Sequence, residues 1–324
     1  MFGDKVLANN PLIIVDVGAS GGVDPRWSNF TKYFKGILFE PDQREYLKLD
    51  KNESDNLLIL DTALLDLKTQ TDFHLCKKQE VSSVFLPNFS LLDKFYEPDR
   101  FAIHKTVKLN TDNLDNVLRK NRMNNIDFIK LDTQGSELPI LKGSTDSLRN
   151  VVGLQIEVNF VELYKNIPLF SDIDIFVRKM GFELFDIKRA FWKRNNPKGF
   201  GVRKGQLIWG DALYFKVPEQ VLNIDGIDEN KVIRTICTYL VYGYVELAES
   251  LFIFAKQHRI LSNDICKLIK LILVRFTERN PIPNFRGKER IRNMLIKAAN
   301  FFSIKGPYSG TDDSIGNSLK FLVF

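Results

Sequence analysis

Acidic side chains stand at the ends of several short apolar runs in the first part of the chain. Asp16, Glu40, Asp61 and Asp132 each lie at the end of a run that is typical of a buried β-strand, or directly after one. The carboxyl ends of parallel strands meet at one edge of a sheet, where open α/β folds bind ligands. We therefore expect these carboxylates to share an edge and to favour a cationic ligand.

A glycine-rich turn follows the first of these runs. Gly18 allows the backbone to approach a ligand closely, and the small residues Ala19, Ser20 and Gly21 leave room for it. Glu40 comes 22 residues after Gly18, the spacing at which an acid accepts hydrogen bonds from a ribose diol. The two features together indicate a cofactor that contains a nucleoside.

The turn departs from the patterns that hold a diphosphate. Its sequence, G-A-S-G-G-V, lacks the G-x-G-x-x-G spacing of nicotinamide-binding folds, and the chain has no P-loop. An adenosine without a diphosphate fits better, and S-adenosylmethionine also brings a cationic sulfonium and amino group. A nicotinamide-dependent oxidoreductase remains an alternative, which binding of NAD would distinguish.

The elements that must position these residues alternate between strands and helices, which is typical of a parallel sheet flanked by helices. The segment 71–107 is expected to be irregular, and the basic stretch 187–205 to be a long connection. Pro41 is expected to open one helix, and Thr111 and Asp112 to cap another that ends near Asn121. Predicted strands are 12–17, 36–40, 57–60, 127–132, 151–158, 182–187 and 206–216; further helices are predicted at 136–142 and 171–180.

Composition places the chain among ordinary globular proteins. It has 324 residues, of which 44% are hydrophobic and 27% charged. Three distant cysteines make no disulfide framework, and no run reaches the roughly 20 apolar residues of a membrane span. With no secretory signal visible, we expect a cytoplasmic location. We expect an α/β domain over 1–218 and an all-helical extension over 219–324, with helices near 229–240, 243–257, 262–277 and 286–300.

Four longer motifs carry a resemblance to a known family. They are D-V-G-A-S-G from Asp16, F-E-P from Phe39, K-L-D-T-Q-G-S-E from Lys130, and L-K-G from Leu141. Together with a closing G-D-A-L-Y-F from Gly210, they resemble the FkbM family of S-adenosylmethionine-dependent methyltransferases over residues 10–216. The resemblance implies a class I, Rossmann-like seven-stranded sheet with an antiparallel last strand, and O-methylation of a sugar hydroxyl in polysaccharide biosynthesis.

The resemblance also implies roles for individual residues. Asp16, Gly18 and Ser20 would contact the methionine end of the cofactor, and Glu40 its ribose. The three residues that would lie beside the adenine are Asp61, Thr62 and Ala63.

Three acids are candidates for the chemistry at the acceptor. Asp132 and Glu157 end neighbouring parallel strands, and Asp211 lies early in the antiparallel one, so we expect all three to project towards the cofactor edge. They could orient sugar hydroxyls, act as a general base, or hold a divalent cation through oxygen ligands. Asp132 and Asp211 could instead serve local turns. His104 is a weaker alternative as the base.

Substrate contacts are expected from the same motif and from the basic stretch 187–205. Gln134 and Glu137 lie in the motif, and Trp192 offers a ring on which a sugar could stack. The stretch is interpreted as a mobile, cationic cover for an anionic glycan, although charge runs also form plain solvated faces. Its assigned substrate residues besides Trp192 are Lys193, Arg194 and Lys198.

The helical extension allows three interpretations. Its apolar stripes fit a small bundle packed on the sheet, a surface for dimerisation or a partner, or peripheral contact with an anionic membrane. Residues 256–305 hold 12 basic and 3 acidic residues, which favours an anionic surface. The leading hypothesis is methylation of a sugar, glycan or glycolipid precursor. The alternatives are a secondary-metabolite hydroxyl as acceptor, or a non-catalytic protein whose basic tail contacts nucleic acid or a partner.

Overall fold

The computed structural model describes residues 2–30, 32–50, 56–123, 125–196, 199–201, 203–277, 285–301 and 306–317. Ten strands form two sheets. A seven-stranded sheet has the order β3-β2-β1-β7-β8-β10-β9, and a three-stranded sheet has the order β4-β6-β5. The strands are β1 Leu12–Val17, β2 Phe34–Phe39, β3 Leu57–Leu60, β4 Ala63–Leu64, β5 Gln70–Cys76, β6 Ile103–Asp112, β7 Phe128–Leu131, β8 Gly153–Asn159, β9 Glu183–Trp192 and β10 Gln206–Phe215.

The large sheet confirms the predicted class I architecture. Its strands run parallel except β10, which pairs antiparallel with both β8 and β9. Strand β1 is central because its apolar run is buried almost throughout, as expected of a strand covered on both faces. The order reverses between β1 and β7, which both carry acids at their carboxyl ends.

Twelve helices surround the sheets in the part of the chain that the structure describes. The four helices predicted after residue 219 are confirmed as α9 to α12. The helices are α1 Phe2–Val6, α2 Gln43–Asp50, α3 Phe89–Leu92, α4 Leu114–Lys120, α5 Glu137–Lys142, α6 Thr145–Asn150, α7 Phe170–Lys179, α8 Pro218–Leu222, α9 Glu229–Val241, α10 Val245–Gln257, α11 Asn263–Thr277 and α12 Lys288–Phe301.

The two faces of the large sheet are covered by different parts of the chain. Helices α4, α5 and α7 pack on one face, against residues such as Val15 and Ile129. Between β1 and β2 the described chain forms only a short 3₁₀ segment, Pro25–Phe30, instead of a helix that could cover the other face. The other face is instead covered mainly by the C-terminal helices, so that Phe128 and Phe215 share one core with Ile236 of α9. This shared core supports the packing interpretation of the extension.

Several boundaries differ from the sequence-based expectations. The segment 71–107 is irregular only in its middle, because β5 and β6 pair antiparallel at its two ends, and the chain between them holds one four-residue helix and two short 3₁₀ segments. Since β6 continues through Asp112, helix α4 is capped by the Asn113 side chain, which accepts from the Asn116 amide at 2.9 Å. Helix α2 begins at Gln43 rather than at Pro41.

The connection between β9 and β10 is also shorter than the predicted connection over 187–205. Strand β9 continues to Trp192 and pairs with β10, and its last three residues, Ala190 to Trp192, are buried. Residues 306–317 then run beside β9. The Lys193 amide donates to the Pro307 carbonyl at 2.9 Å, and the Asp312 amide donates to the Arg189 carbonyl at 3.0 Å.

Candidate active site

A cleft of about 240 Å³ opens at the carboxyl ends of β1, β2 and β7. The three-stranded sheet and the segment 79–84 form its opposite wall. We call this part of the chain, residues 63–112, the insertion, and it covers the cleft. Of the residues assigned to the cofactor or acceptor from the sequence, those that line it are Gly18, Ser20, Glu40, Thr62, Ala63, Asp132 and Gln134.

The glycine turn touches the end of β7. Gly18 has a φ of +80°, and a Cβ there would lie 1.9 Å from the Asp132 carbonyl oxygen. Only glycine fits this position, since both the backbone conformation and the contact exclude a side chain. Ala19 is buried beneath the turn and Gly21 is exposed, so neither is among the lining residues. The turn is a cradle for a closely bound ligand.

Glu40 stands at the side of the cleft that is next to β2. The residue is 5% exposed, and Oε1 accepts a hydrogen bond from the Asp42 amide at 2.9 Å. Burial raises the pKa of Glu40 to about 7. Thr62 and Ala63 also line the cleft, while Asp61 is exposed and its Oδ2 lies 3.5 Å from the side-chain amide nitrogen of Gln43. Glu40 therefore offers a buried hydrogen-bond acceptor to a ligand in the cleft, next to the small side chains of Thr62 and Ala63.

Asp16 contacts the cleft through Lys130. The Lys130 ammonium lies 3.1 Å from Asp16 Oδ1 and lines the cleft. Burial raises the pKa of Asp16 to about 6. Burial opposes the charge of Lys130 as well, but Asp16 and Asp132 outweigh it and raise the pKa of Lys130 to about 12. Sequence reasoning gave Lys130 no role, although a lysine inside an otherwise buried strand was a signal for one.

The three candidate acids lie on neighbouring strands. Asp211 pairs directly with Glu157 across β10 and β8, and Gln134 joins Glu157 to Asp132. The Gln134 amide nitrogen donates to Asp132 Oδ1 at 3.1 Å and to Glu157 Oε2 at 2.8 Å. Burial, then the charge of Asp132, raises the pKa of Glu157 well above its usual value and that of Asp211 to about 6. The arrangement thus places two acids with raised pKa values, Glu157 and Asp211, on neighbouring strands beside Asp132.

Gln134 is held in place by its backbone and its neighbours. Its φ of +57° is left-handed, an unusual conformation for a residue other than glycine. The Ser83 hydroxyl donates to its carbonyl at 2.7 Å, and the Tyr164 hydroxyl lies 2.9 Å from its amide oxygen. Gln134 is therefore a fixed bridge rather than a loose surface side chain.

Glu137 belongs to the turn and not to the acceptor site. It is 1% exposed and accepts hydrogen bonds from the Thr133 amide at 2.8 Å and the Gly135 amide at 3.0 Å. Burial raises its pKa to about 7. The expectation that Glu137 binds substrate is wrong, because its carboxylate is used to hold the backbone around Gln134.

The expectation of an open stacking platform at Trp192 is also wrong. The ring is fully buried, with Phe95 stacked at 4.9 Å and the Arg100 guanidinium 4.6 Å from its centre. Arg194 is exposed and lies 5.6 Å from the Phe95 ring, beside Lys193. Lys198 lies outside the described residues. Trp192 is thus the centre of an aromatic core that joins β9 to the insertion.

The structure does not support a metal site at the three acids. Among the described residues, no group of three His, Cys, Asp or Glu side chains is arranged to hold a metal ion. His104 is exposed on β6 and does not line the cleft.

A family model gives the clearest comparison. The model of the methyltransferase FkbM domain matches residues 16–184, which span the glycine turn, the cleft and the Asp132–Glu157 bridge. No curated protein matches the chain significantly in sequence.

Several solved structures are similar in fold at low sequence identity. TrmK from M. capricolum, in complex with S-adenosyl-homocysteine, is 11% identical, with a TM-score of 0.32 and coverage of 85% of this chain and 94% of that one. An rRNA methylase from Streptococcus thermophilus is 12% identical, with a TM-score of 0.31 and coverage of 66% and 92%. A precorrin-6y C5,15-methyltransferase from Geobacter metallireducens is 10% identical, with a TM-score of 0.32 and coverage of 66% and 86%.

Proposed function

Because the chain belongs to the methyltransferase FkbM family, we propose that it methylates a hydroxyl oxygen of a sugar in a glycan or glycolipid precursor. The protein is an S-adenosylmethionine-dependent methyltransferase. The proposal concerns the acceptor, the atom that receives the methyl group and the residues that bind each partner.

The residues around the cleft fit the cofactor. The cradle at Gly18 would take the methionine end, next to the Asp16–Lys130 pair, whose ammonium can meet the cofactor's carboxylate. Glu40 would accept hydrogen bonds from the ribose hydroxyls, and Thr62 and Ala63 would lie beside the adenine. The cofactor supplies an electrophilic methyl group on a sulfonium. The surrounding excess of carboxylates favours binding of that positive charge.

One observation supports a hydroxyl acceptor above others: the cluster of Asp132, Glu157 and Asp211 joined by Gln134 beside the cleft. A sugar hydroxyl is a weak nucleophile that donates a hydrogen bond to a carboxylate and loses its proton as the new C–O bond forms. Of the three acids, Asp132 lines the cleft, so we assign it the contact with the reacting hydroxyl and the acceptance of its proton.

Glu157 and Asp211 have supporting roles in this proposal. Burial and the charges of its acidic neighbours raise the pKa of Glu157, and its Oε2 accepts from the Gln134 side chain at 2.8 Å, so we assign it the role of keeping Gln134 in place. Asp211 is more open, with 28% of its side chain exposed and Lys188 3.9 Å away. We assign it the orientation of a further hydroxyl of the same sugar. Such positioning supplies a large part of the barrier reduction in displacement reactions.

Transfer of a labelled methyl group tests this proposal. Wild-type protein and Asp132→Asn would be incubated with methyl-labelled S-adenosylmethionine and a panel of sugars, sugar phosphates and glycolipids. We expect O-methylated sugar from the wild type and a rate about 10²- to 10⁴-fold lower from Asp132→Asn at saturating cofactor. Asp72→Asn, on an exposed pair with Lys108, is the matched control.

The outcomes test the role of Asp132 as the base and the identity of the acceptor separately. Unchanged turnover in Asp132→Asn would overturn the role of Asp132. Methylation of small phenolic or aliphatic alcohols, with no transfer to any sugar, would indicate a secondary-metabolite acceptor instead.

A further inference from the structure

Helix α12 presents an apolar side that no other described part of the chain covers. Ile291, Met294, Leu295 and Ala298 recur at helical spacing and lie on one side of the helix. Met294 is 63% exposed and Leu295 is 60% exposed. No other helix or strand of the described chain packs extensively against α12. Exposed apolar side chains grouped in this way mark an interaction surface.

Basic side chains border this apolar side. Arg290 and Lys297 are one heptad apart and lie along one border, and Arg292 lies on the other. All three are exposed. Glu289 is the one acidic residue of the helix. An apolar face between cationic borders is typical of helices that lie in the plane of a membrane surface, with the charges among anionic headgroups.

The length of the helix agrees with this orientation. Its 14 residues span about 21 Å, which is too short to cross the hydrocarbon layer of a bilayer. No helix among the described residues is long and apolar enough to cross a membrane. Phe285, which is 50% exposed and precedes the helix, adds a further apolar ring at the amino end of α12.

We propose that α12 docks this protein on an anionic membrane surface. The apolar side enters the boundary between headgroups and acyl chains, and Arg290, Arg292 and Lys297 contact lipid phosphates. A symmetric contact with a second copy fits less well, because an isologous interface would bring the basic borders of the two helices together. Nucleic acid fits less well too, since its phosphates would leave the apolar side uncovered.

Docking there would bring the catalytic edge close to the membrane. Five residue steps separate Phe301, the end of α12, from Gly306, so the two lie within about 18 Å. Gly306 begins the segment that runs beside β9, where Tyr308 stacks 6.1 Å from Trp192. The inference does not rest on the identity of the acceptor, although a lipid-linked sugar would be favourably placed.

Flotation of the full chain with vesicles tests the proposal. We expect binding to vesicles of phosphatidylglycerol and phosphatidylcholine, weaker binding at high salt, and little binding to pure phosphatidylcholine. The double variant Ile291→Asp with Leu295→Asp should abolish binding, because it removes the apolar contact. A paired charge variant, Arg290→Ser with Lys297→Ser, should weaken binding about 25-fold, from roughly fivefold per basic residue.

Helix α7 supplies matched controls. Ile175 is 56% exposed and Lys179 is exposed on the same helix, so Ile175→Asp and Lys179→Ser make the same chemical changes elsewhere. These variants should bind as the wild type does. Failure of the wild type to float with anionic vesicles, or equal binding by the α12 variants, would overturn the proposal. So would a wild-type dimer in light scattering that the Ile291→Asp, Leu295→Asp variant converts to a monomer without any vesicle binding.

Discussion

Strand β7 has a buried charged cluster at each end, and the two clusters are built in opposite ways. At the amino end, Asp127 is fully buried between the Lys231 ammonium at 2.8 Å and the Arg234 guanidinium at 3.0 Å. Its second oxygen also accepts from the Ile13 amide at 2.9 Å. Two cations from α9 thus surround one carboxylate, and every charge has a partner.

At the carboxyl end the balance is reversed. Lys130 pairs with Asp16, and Lys188 makes a distant contact with Asp211. Asp132 and Glu157 lie beside these acids and have no ion pair of their own among the described residues. The pKa values of Asp16, Glu157 and Asp211 are raised because burial is not matched by positive charge. The comparison shows that one cluster attaches α9 to the sheet, whereas the other is left short of positive charge and hydrogen-bond donors that a ligand can bring.

The largest effect is expected at the amino end. Asp127→Asn leaves two buried cations without a counter-charge, so it should lower the free energy of unfolding by about 3–5 kcal/mol in urea denaturation. The triple variant Asp127→Leu, Lys231→Met, Arg234→Leu should regain most of this stability, because it removes all three charges together. A loss below about 1 kcal/mol for Asp127→Asn would contradict the structural role of this cluster.

The next effect concerns the cofactor. Glu40→Gln removes a charged acceptor for the ribose hydroxyls, so the affinity for S-adenosylhomocysteine should fall about 10- to 150-fold, from 1.5–3 kcal/mol for hydrogen bonds to a charged group. Calorimetric titration measures this change. Glu183→Gln, an exposed position at the start of β9, is the matched control and should bind as the wild type does.

A smaller effect is a pH dependence of stability. The folded-state pKa values of Asp16 and Asp211, about 6, and of Glu40, about 7, lie above their ordinary values. The folded state therefore binds more protons than the unfolded state. The stability that these groups contribute is full below about pH 4 and is lost as the pH rises through 6 to 7. Thermal unfolding without cofactor should show this loss, and a stability that rises over the interval would contradict it.

The smallest effect is expected from the matched substitution at the carboxyl end. Asp211→Asn removes one of several like charges, so the free energy of unfolding should stay within about 0.5 kcal/mol of the wild type or increase. Urea denaturation in parallel with Asp127→Asn makes the comparison direct. Similar losses for the two variants would mean that the clusters do not differ as described.

Much of the fold could be predicted because local patterns determine it. The apolar run at β1, the glycine turn and the motif from Lys130 identify the sheet edge and the family without any tertiary information. The stripes of α9 to α11 likewise follow from helical periodicity. The strand positions were predicted well wherever a strand is buried on both faces, since such strands have continuous apolar runs.

What the sequence did not reveal depends on contacts between distant segments. Asp127 looks like any strand-flanking acid until α9 brings Lys231 and Arg234 to it. Trp192 in a basic stretch resembles an exposed ring, but Phe95 and Tyr308 cover it from segments about one hundred residues away in either direction. Neither contact produces a pattern in the sequence around Trp192 from which its burial could be predicted.

Calorimetric titration of variants at the two clusters with S-adenosylmethionine tests the central claim most directly. The wild type, Glu40→Gln and the triple variant at Asp127, Lys231 and Arg234 would each be titrated with S-adenosylmethionine and, separately, with NAD. We predict that the wild type and the folded triple variant bind S-adenosylmethionine equally, that Glu40→Gln binds it more weakly, and that none prefers NAD. Equal binding by Glu40→Gln, or a preference for NAD, would contradict the assignment of the carboxyl edge as the cofactor site.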